Sequence, residues 1–174
     1  MVTTAAILAG GLSKRMGQDK ALLPLEGKPL ALRTAQLLKS CGIEQVYVVG
    51  RQPELQSLGL PVIVEVSEEH HPLYGVAAAL HAIDSPLLLI LPCDLVGLMP
   101  QHIQAIVDFG GPCVASNQGV IHPLVALLPP VLADRAAQIA KDGGSAHRLV
   151  EGLPIIELPI PGFTDANHPE QLPR

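Results

Sequence analysis

The chain has 174 residues, of which 48% are hydrophobic and 16% are charged, and its formal net charge is −5. This length and apolar content predict one compact domain spanning residues 1–174 and exclude intrinsic disorder. The acidic balance, with two Tyr, two Phe and no Trp, excludes a nucleic-acid partner, because it supplies neither an attracting field for a polyanion nor aromatic platforms for bases.

The three cysteines, Cys41, Cys93 and Cys113, form no CxxC pair, so we expect a reduced compartment and neither a disulfide framework nor a zinc site. The first residues lack the basic and long apolar segments of a signal peptide. The longest dense apolar run, residues 86–92, is too short to span a bilayer. These features predict a cytoplasmic protein with no membrane association.

Apolar runs and helical spacings alternate along the chain. Continuous apolar runs predict strands over 4–8, 45–49, 61–66, 87–91, 113–116 and 124–128. Helical spacing predicts helices over 29–40, 74–83, 100–109 and 132–140, and Ser145 is expected to cap a short helix that reaches Glu151. The alternation predicts an α/β fold, a three-layer α/β/α sandwich around a mostly parallel sheet. Ligands of such folds bind at the carboxyl ends of the strands.

The loop after the first predicted strand is rich in glycine and cations. Gly10-Gly11 allows backbone N–H groups to approach an anion closely, and the following residues add a hydroxyl and three positive charges. Those residues are Ser13, Lys14, Arg15 and Lys20. The set suits a polyphosphate ligand; the alternative is a Gly-rich turn with a solvated basic stretch. Neither a Walker loop nor a GxGxxG fingerprint is present.

The segment Leu8–Leu30, which reads LAGGLSKRMGQDKALLPLEGKPL, closely resembles the opening signature of the molybdenum cofactor guanylyltransferases. These enzymes belong to a nucleotidyltransferase superfamily with a Rossmann-like fold, which includes sugar-1-phosphate and cytidylyl enzymes. The resemblance implies transfer of GMP from GTP to the terminal phosphate of molybdopterin, with release of pyrophosphate. The double glycine, where cytidylyl relatives more often have Ala-Gly, favours GTP.

The resemblance also assigns residues to the nucleotide. Lys20 is expected to neutralise the α-phosphate, and Arg15 to help hold the leaving pyrophosphate. The remaining nucleotide-binding positions of the loop are Leu8, Ala9, Gly10, Gly11 and Ser13.

The second loop of interest, Pro92-Cys93-Asp94, follows the fourth predicted strand and resembles the family's Pro-Cys-Asp motif. Mg2+ prefers oxygen ligands and keeps several waters, so one or two carboxylates plus phosphate oxygens suffice to bind it. Asp94 is therefore the expected Mg2+ ligand, and the alternative is an ordinary Asp that starts a turn. The family usually continues with Thr-Pro, where this chain has Leu95-Val96.

Base recognition in relatives uses a polar residue after the second strand and an Asp after the third. This chain has Gly50-Arg51 and Glu65 near those places. Glu65 is expected to accept hydrogen bonds from N1 and N2 of guanine, the edge that distinguishes guanine from adenine.

Several positions on the acceptor side match the family or depart from it. His122 lies in a matching segment and is a candidate either for the pterin phosphate or for a turn hydrogen bond. In the tail, Asn167 matches the second Asn of the family's Asn-x-Asn-Thr-Pro-Glu-Glu-Leu, whereas Asp165 and His168 replace its first Asn and its Thr. Asp165 and Asn167 are candidates for the metal or the acceptor phosphate. His71 replaces a family Gly, and His70-His71 is interpreted as a solvated loop rather than a metal pair.

Two other interpretations remain open from the sequence. One is a cytidylyl- or sugar-1-phosphate nucleotidyltransferase; the other is a non-catalytic homologue that binds nucleotide or molybdopterin. If the chain is a guanylyltransferase, GTP and molybdopterin are its small-molecule partners. Molybdoenzymes or other proteins of cofactor biosynthesis are then its transient protein partners.

Overall fold

The computed structural model describes residues 2, 4–9, 20–67 and 69–165. Seven strands of this part form one sheet in the order β5-β4-β1-β6-β9-β8-β10. Their bounds are Thr4–Leu8 (β1), Gln45–Gly50 (β4), Val62–Val64 (β5), Leu88–Pro92 (β6), Cys113–Asn117 (β8), Val120–Leu128 (β9) and Ile155–Glu157 (β10). Two short antiparallel pairs accompany the sheet: β2 (Pro24–Leu25) with β3 (Lys28–Pro29), and β7 (Leu95–Val96) with β11 (Thr164–Asp165).

All strands of the large sheet except β9 run in one direction. β9 is antiparallel to both β6 and β8, because a tight turn joins β8 directly to it. Gln118 and Gly119 in this turn both have positive φ, 53° and 77°, the backbone shape that matches the twist of a two-residue hairpin. The mostly parallel sheet predicted from the sequence is confirmed.

Helices cover both faces of the sheet. The bounds are Leu30–Ser40 (α1), Pro72–Ala82 (α2), Pro100–Phe109 (α3), Ala133–Lys141 (α4) and His147–Val150 (α5). α1 and α3 pack into one apolar core, and α2, α4 and α5 pack into the other. Neighbouring residues of β1 serve opposite cores, Ile7 the first and Ala6 the second, because successive side chains of a strand point to opposite faces. The three-layer sandwich is therefore confirmed.

The predicted elements lie close to the observed ones, with three kinds of difference. β9 begins at Val120 rather than at residue 124, because the hairpin turn feeds directly into it. The edge strand β10 and the two short pairs were not predicted. The short helix α5 ends at Val150 rather than at Glu151, and Ala146 rather than Ser145 is at its N-cap position. The Ser145 hydroxyl, one residue earlier, accepts a hydrogen bond from the His147 N–H at 3.3 Å.

The carboxyl ends of β1, β4 and β6 lie side by side, and this is where the polar loops meet. The hydrogen-bond ladder continues past the strands: the Ala9 N–H donates to the Val49 carbonyl at 2.8 Å, and the Cys93 N–H donates to the Leu8 carbonyl at 3.1 Å. Both loops thus leave the sheet from fixed positions. Within the described residues, no helix is long and apolar enough to cross a membrane.

Candidate active site at the carboxyl edge of the sheet

Lys20 and Asp94 form the centre of the site. Lys20 begins a 3-10 turn (Lys20–Leu22) after the glycine-rich loop, and Asp94 follows β6 by two residues. Although 74 residues separate them, the Lys20 Nζ lies 2.9 Å from the Asp94 Oδ2. The two side chains are only 18% and 16% exposed. The structure thus brings together the cation and the carboxylate that the sequence singled out.

The other residues of the predicted phosphate loop divide into two groups. Leu8 ends β1, and the buried Ala9 continues its ladder. Gly10, Gly11, Ser13, Lys14 and Arg15 lie outside the described residues.

Arg51 and Glu65 form a second charged pair beside this edge. The Arg51 Nε and Nη2 donate to the same oxygen, Glu65 Oε1, at 3.1 and 2.6 Å. The Glu65 side chain is 6% exposed, and the Glu65 N–H donates to the Gly50 carbonyl at 3.1 Å. Because both donors of Arg51 use Oε1, the pair leaves Oε2 available for another donor. The sequence named both residues but did not indicate that they bind each other.

A wider network fixes Arg51 in place. Its Nη2 also donates to the Glu69 carbonyl. The Tyr74 hydroxyl donates to the Glu69 Oε2 at 2.8 Å, and this hydrogen bond raises the pKa of Tyr74. The loop between β5 and α2 is therefore tied to the guanidinium that orients Glu65.

Gly75, in the first turn of α2, faces the carboxylate of Glu65. A Cβ on Gly75 would lie 3.3 Å from the Glu65 Oε2 and 3.4 Å from the Leu8 Cδ2. Glycine thus keeps open the space next to the unused oxygen of Glu65.

His71 is not the solvated loop residue that the sequence suggested. It is half-buried at the N-cap of α2, where its Nδ1 accepts from the Leu73 N–H at 3.2 Å. Its Nε2 lies 2.9 Å from the Gly144 carbonyl, which ties α2 to the end of α4. The replacement of the family's Gly therefore gives the helix a side-chain cap. His70, in contrast, is exposed.

Two acceptor-side candidates are described. The His122 ring packs against Phe163 with their centroids 4.7 Å apart, so the structure gives it a packing contact that the sequence did not predict. The backbone of Asp165 pairs with Leu95, the residue after Asp94. Asn167 and His168 lie outside the described residues.

The sequence analysis missed a group of buried residues behind this edge. His102 is fully buried, Asn117 is 7% exposed and Phe163 is 3% exposed. His102 and Asn117 form hydrogen bonds to the chain that leads from β10 to Asp165, and Phe163 lies in that chain. The sequence signal for this group is a histidine two residues after Pro100, followed later by the Pro159-Ile160-Pro161-Gly162 run.

The carboxyl edge of the sheet offers few side chains that could bind a metal ion. Among the described residues, no three His, Cys, Asp or Glu side chains converge in a way that would hold a metal ion. A lone carboxylate at the ligand edge suits a cation that takes its remaining ligands from water and phosphate, which is the preference of Mg2+.

Solved structures share this fold. A protein from Aquifex aeolicus VF5 superimposes with a TM-score of 0.76 at 27% identity, covering 92% of this chain and 88% of its own. The molybdopterin-guanine dinucleotide biosynthesis protein A of Archaeoglobus fulgidus superimposes with a TM-score of 0.67 at 19% identity, covering 90% and 83%.

Fold and sequence together define the chain as a nucleotidyltransferase. The model of the MobA-like NTP transferase domain matches residues 5–156. The chain belongs to this MobA-like family. A molybdenum cofactor guanylyltransferase of Xanthomonas euvesicatoria is 31% identical over 184 aligned positions, which cover 98% of this chain and 93% of that protein.

Proposed function

We propose that this nucleotidyltransferase is a molybdenum cofactor guanylyltransferase. It transfers GMP from GTP to the terminal phosphate of molybdopterin, releases pyrophosphate and forms the guanine dinucleotide cofactor. The observation that carries the proposal is the meeting of Lys20 and Asp94 at 2.9 Å on the ligand edge of the sheet. The relatives of the MobA-like family, which bear this name at about the same chain length, supply the substrate class.

The chemistry requires charge neutralisation rather than a general base. An oxygen of the acceptor phosphate, already anionic near neutral pH, attacks the α-phosphorus of GTP. The new O–P bond forms as the bond to the β-phosphate oxygen breaks, and the electron pair leaves with pyrophosphate. Such a reaction is accelerated mainly by positioning and by fixed positive charge. Lys20 supplies that charge at the α-phosphate.

The glycine-rich loop is assigned to the leaving group. Backbone donors at Gly10 and Gly11, the hydroxyl of Ser13 and the guanidinium of Arg15 hold the β- and γ-phosphates. This assignment is supported by the residue types and by the position of the loop directly after Ala9, which the sheet fixes through its bond to Val49.

Mg2+ fits the donor set through Asp94. The carboxylate is 16% exposed, so it is open to a ligand, and its Oδ2 already accepts a positive group. When bound, Mg2+ neutralises phosphate charge and orients the triphosphate. Asp94 would hold the metal, and Lys20 would neutralise the α-phosphate.

We assign guanine selection to Glu65. Arg51 holds its Oε1, so Oε2 is oriented toward the space that Gly75 leaves open. An ionised carboxylate accepts from both N1–H and N2–H of guanine. Adenine has no such donor pair on that edge, and its binding would leave the Glu65 Oε2 without a donor, which is costly.

We place the reaction in the cytoplasm, with transient contact to molybdoenzymes or other proteins of cofactor biosynthesis. Cys41 and Cys113 have free thiols, which is typical of a reduced compartment.

The test is titration calorimetry of the purified protein with GTP, CTP, ATP and UTP, each with and without Mg2+. GTP-selective, Mg2+-dependent binding, followed by pyrophosphate release on addition of molybdopterin, is the expected result. Selective binding of CTP would move the protein to the cytidylyl enzymes. GTP binding without pyrophosphate release in the presence of molybdopterin would make it a non-catalytic homologue.

A further inference from the structure

The chain between β10 and β11 is held by side chains rather than by a strand ladder. This crossover segment, residues 158–163, contains Pro159 and Pro161, which have no N–H to donate. Its only regular backbone bond described is from the Leu158 N–H to the Ser116 carbonyl, at 2.8 Å. Side chains of α3 and β8 donate hydrogen bonds to its carbonyls instead.

His102 is the main donor from α3. Its Nδ1 accepts from the Met99 N–H at 3.0 Å, so the ring proton is on Nε2. Nε2 lies 2.9 Å from both the Pro159 and the Pro161 carbonyl oxygens. The neutral ring thus bonds α3 on one side and the crossover segment on the other, and it is 0% exposed.

Asn117 holds the same segment from β8. Its Nδ2 donates to the Phe163 carbonyl at 2.8 Å. A Cβ on Gly162 would overlap the Asn117 amide, so the backbone passes directly against this side chain. The Phe163 ring then lies between two histidines, with its centroid 5.9 Å from that of His102 and 4.7 Å from that of His122.

The strand after the crossover segment, β11, reaches the active-site edge. Thr164 pairs with Val96, and Asp165 pairs with Leu95, the residue next to Asp94. β7 and β11 have only two residues each, too few to fix their own register, because a pairing this short is not stable alone. The register must therefore come from the clamp that precedes it, formed by His102 and Asn117.

We infer that His102 is a positioning residue for the active site: through the crossover segment it fixes the register of β11 on β7 and sets the backbone of Asp165 beside the loop that carries Asp94. It acts on the metal-binding edge without contacting it. The expected effect on Mg2+ binding rests on the proposed function. The hydrogen bonds from His102 and Asn117 to the crossover segment are a feature of the fold and do not depend on it.

Two substitutions separate the two bonds of the ring. His102→Asn keeps an acceptor at the Nδ1 position for Met99 but has no donor that reaches the crossover carbonyls. His102→Gln keeps a donor as far from the backbone as Nε2. His81→Asn is the matched control, because the His81 side chain is 58% exposed on α2.

The first readout is amide hydrogen exchange in the full-length protein. Loss of the one N–H donor that the Pro159 and Pro161 carbonyls share, worth about 1 kcal/mol, predicts exchange about fivefold faster at residues 95–96 and 164–165 in His102→Asn. Amides of α2 should keep the rates of the wild type. His102→Gln and His81→Asn should leave the β7–β11 amides protected.

The second readout is binding of Mn2+ in the presence of GTP, followed by electron paramagnetic resonance. Affinity should fall several-fold in His102→Asn and return in His102→Gln. Unchanged β7–β11 exchange in a folded His102→Asn protein, or unchanged Mn2+ affinity, would overturn the inference. If His102→Asn does not fold, exposed β7–β11 amides in His102→Gln would overturn it instead. A wild-type protein that binds no Mn2+ with GTP would refute the proposed function, while the exchange data would still decide the clamp.

Discussion

Lys20→Ala gives the sharpest test of the catalytic proposal, because its effects on stability and on turnover should differ in size. At an effective dielectric constant of about 20, unit charges at the 2.9 Å separation of Lys20 and Asp94 attract by roughly 6 kcal/mol. Desolvation and side-chain ordering offset most of this, and partly exposed pairs retain about 1 kcal/mol. We therefore expect the free energy of unfolding to fall by about 1 kcal/mol and the Tm by about 2–4 °C.

The effect of Lys20→Ala on turnover should be much larger. A single donor aimed at charge that develops in the transition state typically contributes 10²–10³ in kcat, about 2.7–4 kcal/mol. The assay is pyrophosphate release at saturating GTP, Mg2+ and molybdopterin. Lys28→Ala is the control, because Lys28 is an exposed lysine on β3 whose Nζ contacts only Gln36 among the described hydrogen bonds. Wild-type kcat in a folded Lys20→Ala protein would refute the role of the ammonium, and Lys20→Arg tests whether charge alone is enough.

Three further predictions concern the nucleotide pocket, the thiols and the acid stability. Gly75→Ala should raise the stability of α2 by up to about 1 kcal/mol. It should nevertheless weaken GTP binding, measured by calorimetry, because the new Cβ would lie 3.3 Å from the Glu65 Oε2. Tight GTP binding by this variant would show that the base does not occupy the space beside Gly75. At pH 8 Ellman's reagent should modify the half-buried Cys41 first. Burial raises the pKa of Cys113 to about 11, so this thiol should react only on unfolding. Rapid modification of both thiols would refute this prediction. Hydrogen bonds from Ser116 and from backbone N–H groups lower the pKa of Glu157. These bonds therefore stabilise the fold above the ordinary carboxyl pKa, and their contribution is lost as the pH falls through the lowered pKa of Glu157. Ser116→Ala should raise this pKa in an NMR titration and reduce stability at neutral pH but not in strong acid.

The sequence predicted the layers of the fold because each element has a strong local signal. Continuous apolar runs specify buried parallel strands, and helical spacing with proline at the start specifies α3. β10 has no such signal, since Ile155 is 57% exposed and the strand is three residues long. The β2–β3 pair is a local hairpin around Glu26 and Gly27, but strands of two residues are too short to show an alternating pattern. The β7–β11 pair depends on contacts between distant segments, which no local pattern encodes.

The site was predictable in composition but not in pairing. Lys20 and Asp94 are identifiable as residue types after strands, and the resemblance ties them to one reaction. That they bind each other is a consequence of the neighbouring positions of β1 and β6, which alternation alone does not specify. His71 shows the opposite error. The sequence assigned it to solvent, but its Nδ1 caps α2 at the Leu73 N–H. Its Nε2 lies against the Gly144 carbonyl, a partner that only the folded chain brings within reach.

The paired state of Lys20 and Asp94 explains how an acidic protein with a net charge of −5 can bind a triphosphate. Without ligand, the two charges compensate each other, so neither is left unpaired at a half-enclosed edge. On the proposed mechanism, Asp94 would hold a magnesium ion and Lys20 would contact a phosphate of the nucleotide, so each side chain would keep a partner of opposite charge. If GTP bound without the metal, Lys20 would contact a phosphate, but the carboxylate of Asp94 would lie close to the same triphosphate and repel it. On this proposal, the binding of GTP depends on Mg2+ because of this pair, and Asp94→Asn should allow GTP to bind without Mg2+ while turnover is lost.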